Sequence, residues 1–347
     1  MHNIILQDCE SIANAKLPWE SLQGKTVLIS GANGYVPAYF VYSFLKRNDL
    51  YNSRIKVVAL CRSEERARVR FEDYIGRTDF EMLIQNVCNP IVYKKPIDFF
   101  IHAASPASMS GRYANYVETY SANVVGCHNL LELCRRNTCS GFLLISSVDI
   151  YGNTGSAERF SEEMCGKIDN LNPRNAYALG KRGAETLCVC YHSQYGIPAV
   201  IARPFQILGP GIALDDGRLH IDFISQMIKS DKIILKSDGS AKRTFLYIAD
   251  AILGMIFVML TGIPCHAYNV VDEKGEASVM ELAKLMASLC SGRNINVEFD
   301  ISQRNTPAVT QAPAASLGSS AKLRALGWMP QYSLKKGAER VMKAYGL

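Results

Sequence analysis

The sequence predicts an α/β fold: a doubly wound parallel sheet with a smaller, interleaved C-terminal lobe. Three observations predict it. Five apolar runs rich in Val, Ile and Leu read as strands: TVLIS (26–30), IKVVAL (55–60), IDFFIHAA (97–104), GFLLISS (141–147) and PAVIARPF (198–205). Their unbroken apolarity is that of strands covered on both faces. Segments of helical period, notably 113–136 and 176–196, stand between them, and alternation of this kind builds parallel sheets. The first strand runs directly into a glycine turn and a helix, GKTVLISGANGYVPAYFVYSFL (24–45), as a dinucleotide-binding βα unit does.

Residues 1–23 form an extension ahead of the first strand, without the basic start and apolar run of a secretion signal. In the glycine turn, Gly31 and Gly34 give a G-x-x-G spacing. The first glycine permits the tight turn, and the second lets the backbone approach a pyrophosphate at a helix N-terminus. Pro37 stands where a longer fingerprint has its third glycine. That glycine serves packing, and a proline in the first helical turn loses an N–H without an intrahelical partner.

The second strand ends VVALCRS, with Cys61 where an NAD site usually places an acid for the ribose 2′-hydroxyl. Arg62 follows, and Arg66 comes one turn later. A guanidinium beside the ribose suits a 2′-phosphate, so the expected cofactor is NADP, with NAD as the alternative.

The fourth strand runs into SSVDIYG (146–152), and YALGK (177–181) follows. Tyr177 and Lys181 lie four apart, on one helix face. A tyrosine with a pKa of about 10 is a poor proton shuttle at neutral pH. A neighbouring ammonium and an oxidised nicotinamide both favour its phenolate. Ser147 can hold the substrate oxygen that Tyr177 protonates or deprotonates. Y-x-x-x-K occurs by chance in many helices; its placement after a glycine turn and an SS-x-x-x-Y-G strand end is what makes it specific.

After Phe205 the pattern loosens into QILGPGIALDDGRLH, a helix (221–230), KIILKSDGSAKRTFLYIADAI, and a tail (276–347) with two helical stretches. This reads as a lobe of 206–243 and 263–347 over the carboxyl edge of a dinucleotide-binding domain of 24–205 with 244–262.

Composition narrows the function. The formal net charge is +6, with Lys and Arg scattered rather than blocked, which argues against a nucleic-acid partner. The longest apolar run, AILGMIFVMLTGI (251–263), is shorter than the roughly 20 residues that span a bilayer, so no membrane partner is expected and the run reads as a buried helix. None of the 11 cysteines forms a C-x-x-C pair. The expectation is reduced, buried thiols in a cytoplasmic protein, with neither disulfides nor a metal site.

With these pieces in order, the chain resembles the extended short-chain dehydrogenases/reductases of the nucleotide-sugar epimerase/dehydratase family. GANGYV, FFIHAAS, NVVGCHNLLE, SSVDIYG, YALGK, RPFQILGPG, DGRLHIDFI and DGSAKRTFLYIADAI carry the resemblance over roughly residues 24 to 262. It implies a Rossmann domain with an interleaved nucleotide-sugar lobe, and Ser147, Tyr177 and Lys181 as the catalytic set. Around the cofactor it implies Gly31, Asn33, Gly34, Tyr35, Val36, Arg62, Asn86, Ala103, Ala104, Ser105, Asn123 and Pro204, with Tyr177 and Lys181. Arg218 and Arg243 would clamp the substrate pyrophosphate, a bidentate role that suits arginine; Asp149 would meet the sugar ring, and Gln206 a phosphate or amide of the substrate. The resemblance also implies a homodimer in which the two long helices pair as a four-helix bundle; the alternative is that their apolar faces are used within the monomer.

The sequence departs from the family at four positions. The 4,6-dehydratases carry Asp–Glu where this chain has Val148 and Asp149, and the UDP-glucuronate decarboxylases carry Ser–Glu. Gln206 replaces an Asn, and Asn86 an Asp. Valine cannot protonate a leaving hydroxyl. The expected function is therefore NADPH-dependent reduction of the 4-keto group of a nucleotide-activated (6-deoxy)hexose. The alternatives are a 4-epimerase with retained NAD and, behind it, a decarboxylase, a dehydratase or a non-catalytic NADP-sensing module. Loss of Tyr177 or Lys181 would mark the last, and both are present.

Overall fold

The computed structural model of this chain describes residues 2–106, 114–155, 158–300 and 315–347. Helix α1 (Asn3–Asn14) precedes β1 (Thr26–Ser30), α2 (Tyr35–Tyr51), β2 (Lys56–Cys61), α3 (Glu64–Arg70), β3 (Phe80–Ile84) and β4 (Phe99–His102). Then come α4 (Tyr116–Asn137), β5 (Gly141–Ile145), α5 (Ala176–Tyr195) and β6 (Ala199–Pro204). The remainder supplies β7 (Gln206–Leu208), α6 (Leu219–Lys229), β8 (Lys232–Leu235), β9 (Lys242–Tyr247), α7 (Ile248–Thr261) and β10 (Ala267–Val270). It ends with β11 (Glu276–Ser278), α8 (Val279–Leu289), β12 (Asn296–Phe299), β13 (Ala315–Ser316), α9 (Ala321–Ala325) and α10 (Leu334–Ala344).

Seven strands form one parallel sheet in the order β10-β6-β5-β4-β1-β2-β3. Successive residues of β1 enter different cores: Val27 and Ile29 pack with α2 and α7, and Leu28 packs with Leu130, Leu131 and Cys188 of α4 and α5. This two-sided burial explains why the strands are apolar throughout. The winding reverses between β1 and β4, and a crevice opens at the carboxyl ends of strands at such a point. The apolar run 251–263 lies mostly in α7, whose residues are buried almost all round. Among the described residues no helix is long and apolar enough to cross a membrane.

Two edge strands, β3 and β10, are absent from the strands read in the sequence. β10 lies within 263–347, the stretch read as lobe, yet it pairs with β6 in the main sheet. The lobe sheets are small: β11-β9-β13 with β7 against β9, and β12 against β8. The extension 1–23 folds into α1, whose Ile5, Cys9 and Ile12 join the core beside α2 and α7. Its buried Asp8 accepts from Tyr247 Oη at 2.7 Å and Arg340 Nη2 at 2.6 Å.

The cysteine expectation needs correction at one place. Cys134 and Cys139 are disulfide-bonded. Thr138, with φ at +52°, turns the chain back after α4 and brings the two Cα atoms to 5.3 Å. Cys165 and Cys190 are exposed, whereas Cys9, Cys61, Cys127, Cys188 and Cys290 are buried thiols.

Candidate active site

The carboxyl ends of β1, β4, β5 and β6 open into one cleft of about 2290 Å³ that continues into the lobe. At its floor, Gly31 has φ at +65°, and a Cβ there would stand 2.8 Å from Ala104 Cα, so no other residue fits. Gly34 stands at the N-cap of α2 and donates to Gly31 O at 2.8 Å. Tyr35 and Val36 are the first two helical residues, whose N–H groups have no intrahelical partner. Pro37 fills the third position, where an N–H would also be unpaired. A bare glycine turn at the positive end of a helix fits a pyrophosphate, so these residues suit a dinucleotide.

At the end of β2 the Cys61 thiol is buried, and burial pushes it up to about 11, against the backbone N–H groups of Asn33 and Ala32 that point at it. The position is therefore neutral. Arg62 and Arg66 line the cleft beside it. Asn86 also lines the cleft; its Oδ1 accepts from Cys88 N at 3.0 Å.

Ala103, Ala104 and Ser105 form the facing wall. Ser30 Oγ accepts from Ala103 N at 3.1 Å and Ala104 N at 3.2 Å, and lies 2.9 Å from His102 Nδ1. Having accepted twice, the hydroxyl donates to Nδ1, which puts the imidazole proton on Nε2. Burial, reinforced by the Lys181 charge, lowers His102 to about 3, so the ring is neutral. Asn123 does not line the cleft. It is buried behind the wall, its Nδ2 donating to Ser105 Oγ at 3.0 Å and Thr119 O at 2.7 Å, so it supports the cofactor wall from behind. The Ser30–His102 pair escaped the sequence reading, although the two residues are in register on adjacent strands.

Ser147 follows β5 and caps the single turn 148–151, accepting from Asp149 N at 3.2 Å. Lys181 is buried on α5, donating from Nζ to Ile145 O at 2.7 Å. It stands 5.8 Å from the centre of the Tyr177 ring. Ser147, Tyr177, Lys181 and Pro204 all line the cleft. Val148 packs with Phe160, Phe205 and Val271, so this position has no acid and an apolar surround.

On the lobe side the cleft is lined by Asp149, Gln206, Arg218 and Arg243. Arg218, at the start of α6, has Nη1 3.2 Å from Asp216 Oδ1 and its guanidinium 5.1 Å from the centre of the Tyr35 ring. It thereby joins the lobe to the glycine turn. Arg243 on β9 is lowered by burial, opposed by the Asp149 carboxylate, so the two side chains act on each other across the cleft. His220, beside Arg218, is buried and held neutral by burial and then by that arginine, at about 3. Lys236 also reaches the cleft; the sequence offered it only as one lysine among scattered ones.

Residues 27–270 match the NAD dependent epimerase/dehydratase family. UDP-glucuronic acid decarboxylase 3 of Arabidopsis thaliana is 30% identical over 312 residues, 90% of this chain and 86% of that protein. UDP-glucuronic acid decarboxylase 1 of Danio rerio is 28% identical over 328 residues, covering 92% and 72%. Among solved structures, UDP-glucuronic acid 4-epimerase from Bacillus cereus, in complex with UDP-glucuronic acid and NAD, superposes with a TM-score of 0.76 at 22% identity, covering 92% of this chain and 99% of that one. The epimerase Mth375 from Methanothermobacter thermautotrophicus gives 0.79 at 20% identity, covering 99% and 96%. With the parallel sheet and the glycine turn in place, the chain is an enzyme and belongs to the NAD dependent epimerase/dehydratase family.

Proposed function

We propose that this enzyme reduces the 4-keto group of a nucleotide-activated 6-deoxyhexose, using NADPH. The observation that carries the cofactor choice is the end of β2. A buried, neutral Cys61 replaces a ribose-binding carboxylate, and Arg62 and Arg66 line the cleft next to it. The nucleotide-sugar class is supported by the names of the relatives and by Arg218 and Arg243 on the lobe side, which suit a pyrophosphate.

When bound, the nicotinamide supplies the hydride. The glycine turn, Tyr35 N–H and Val36 N–H would hold its pyrophosphate, and Arg62 the 2′-phosphate. Ser147 hydroxyl orients the substrate oxygen, and Tyr177 Oη–H donates the proton that this oxygen takes up. The Lys181 ammonium favours the phenolate left behind. Val148 has no proton for a departing hydroxyl, so the same cleft does not support loss of water from a 6-hydroxy sugar. The second reading is 4-epimerisation with retained NAD; it uses the same three residues and is favoured by the family's NAD dependence.

The test supplies purified protein with a 6-hydroxy nucleotide hexose and, separately, its 4-keto-6-deoxy counterpart. NADPH absorbance and product mass are followed. We expect NADPH consumption and a gain of two hydrogens with the keto sugar alone. Loss of a water mass would overturn the proposal, and interconversion of C4 epimers without cofactor consumption would put the epimerase in its place.

We also infer a homodimer. α4 and α5 turn Cys127, Leu130, Ala184 and Cys188 to the sheet, yet leave Val117, Tyr120, Val125, Val189 and Tyr195 exposed. Sedimentation at twice the chain mass is expected, and a monomer would remove the inference.

A further inference from the structure

Beneath the reaction centre lies a polar network that the chemistry above does not use. Glu185 is on α5, one turn beyond Lys181, and Arg203 is on β6, next to Pro204. Each is only 9% exposed. Arg203 Nη2 donates to Glu185 Oε2 at 2.7 Å, and Nε to Oε1 at 3.0 Å, a two-pronged pair of fixed direction. Ser146 hydroxyl, adjacent to Ser147, donates to Glu185 Oε1 at 2.5 Å. Arg203 Nη1 donates to Tyr151 Oη at 3.1 Å and Glu162 O at 2.9 Å, and Tyr151 Oη donates to Asn269 Oδ1 at 2.6 Å. Thus the end of β5, the turn after it, α5, β6 and β10 each send one polar group to the same point.

Stability does not account for this arrangement. Withdrawing two charges from water is poorly repaid by their attraction, and a well-packed apolar pair of similar volume is often as stable or more so. What an apolar pair lacks is direction. Greasy side chains let a helix slide or turn slightly, whereas a forked pair with two further hydrogen bonds admits one arrangement. The catalytic side chains need that definition, because a reacting geometry is lost over distances of about an ångström.

We propose that Glu185 and Arg203 are positioning residues, whose ion pair fixes α5 against the ends of β5 and β6 and so holds Tyr177 and Lys181 facing Ser147. The inference rests on the reading of Tyr177 as the acid. A second tie, Arg182 on α5 donating from Nε to Ile150 O at 2.7 Å and from Nη2 to Gly166 O at 2.6 Å, remains when the pair is replaced, so α5 stays docked in the variants.

The experiment uses the whole protein with Ser146→Ala, Glu185→Gln and the double variant Glu185→Met/Arg203→Met. Three readouts are taken: melting temperature, amide hydrogen exchange across 176–185 without substrate, and steady-state turnover with the keto sugar. Glu185→Gln is expected to melt lower, to exchange at least about tenfold faster in 176–185, and to lose about tenfold or more in kcat with KM changed by less than about threefold. Ser146→Ala should show the same pattern at about threefold. The double variant should regain the wild-type melting temperature but neither the protection nor kcat. Recovery of protection and kcat together with melting temperature would reduce the pair to a structural element and overturn the proposal, as would wild-type exchange in Glu185→Gln. A wild type inert toward every nucleotide sugar would defeat the functional reading alone, and the exchange arm would still decide on the ion pair.

Discussion

At one end of the cleft Ser147, Tyr177 and Lys181 are carried by the ends of β5 and α5, built on a seven-stranded parallel sheet. At the other, Arg218 and Arg243 are carried by α6 and β9, in a lobe whose sheets have two and four strands. The sheet end is braced by a buried Arg–Glu pair and by Lys181 bonded to a strand carbonyl. At the lobe end Arg218 faces the Asp216 carboxylate and Arg243 that of Asp149, without a forked pair like that of Arg203. Under the proposed function, the difference follows the task. Proton and hydride transfer tolerate little displacement, whereas an anion clamp works through charge, which falls off slowly with distance.

The contrast predicts different kinds of damage. The largest is expected at the sheet end. Tyr177→Phe removes only the transferable proton, so turnover should fall at least about a hundredfold while the NADPH dissociation constant stays close to wild type. A variant with most of its activity left would move the acid elsewhere. At the lobe end, Arg243→Met should raise KM for the nucleotide sugar about ten- to hundredfold, the scale of a lost charge-assisted hydrogen bond, with kcat within a few-fold. A fall in kcat at constant KM would erase the distinction between the two ends.

How far each end could be read in advance follows from the same contrast. Gly31, Gly34, Ser147, Tyr177 and Lys181 announce themselves because each lies in a short local pattern: a turn after an apolar run, or two residues one helical turn apart. Glu185 and Arg203 meet across 18 residues, and Ser30 and His102 across 72; no local pattern marks such pairs. β3 was missed because Glu81 interrupts its apolar run, pairing at the sheet edge with Lys56 and Lys95. β10 was missed because Asn269, which serves the network under the site, breaks the apolar pattern of a four-residue strand. In the lobe, Arg218 and Arg243 stood out by family resemblance alone, since loop-borne residues have no period to betray them.

A smaller effect sharpens the cofactor side. Arg62→Ala should weaken NADPH about tenfold, in line with one exposed charge-assisted contact, and leave NADH unchanged. Equal affinities for the two cofactors in the wild type would remove the argument from β2 and favour the epimerase reading.

The smallest concerns pH, and it compares the two ends directly, since each contains one buried neutral histidine. His102 and His220 sit at about 3 in the folded protein against an ordinary 6.5. The unfolded chain therefore binds protons that the native state refuses, and stability falls as pH drops below about 6.5. Asp250, raised by burial to about 6 from 3.8, acts oppositely between those values and offsets part of the loss. Melting temperature between pH 7 and 5 should fall in the wild type. The fall should be shallower in His102→Gln and in His220→Gln. Unchanged slopes in both variants would mean that the histidines take up protons in the native protein.

The clasp between Asp8 and Arg340 closes over 332 residues, and this has a consequence for the order in which the protein is made. During synthesis α1 is made well before α10, which carries its charged partner. The main sheet needs nothing beyond β10, which ends at Val270, and contacts of shorter separation form sooner. A nascent chain can thus hold a folded cofactor crevice while α1 still lacks Arg340 and the lobe is unfinished. A chain halted after β10 would already carry Arg218 and Arg243, but β9 would lack β11 and β13 and β8 would lack β12, so the cofactor side of the cleft can be complete while the lobe side still lacks the strands that hold its arginines in place.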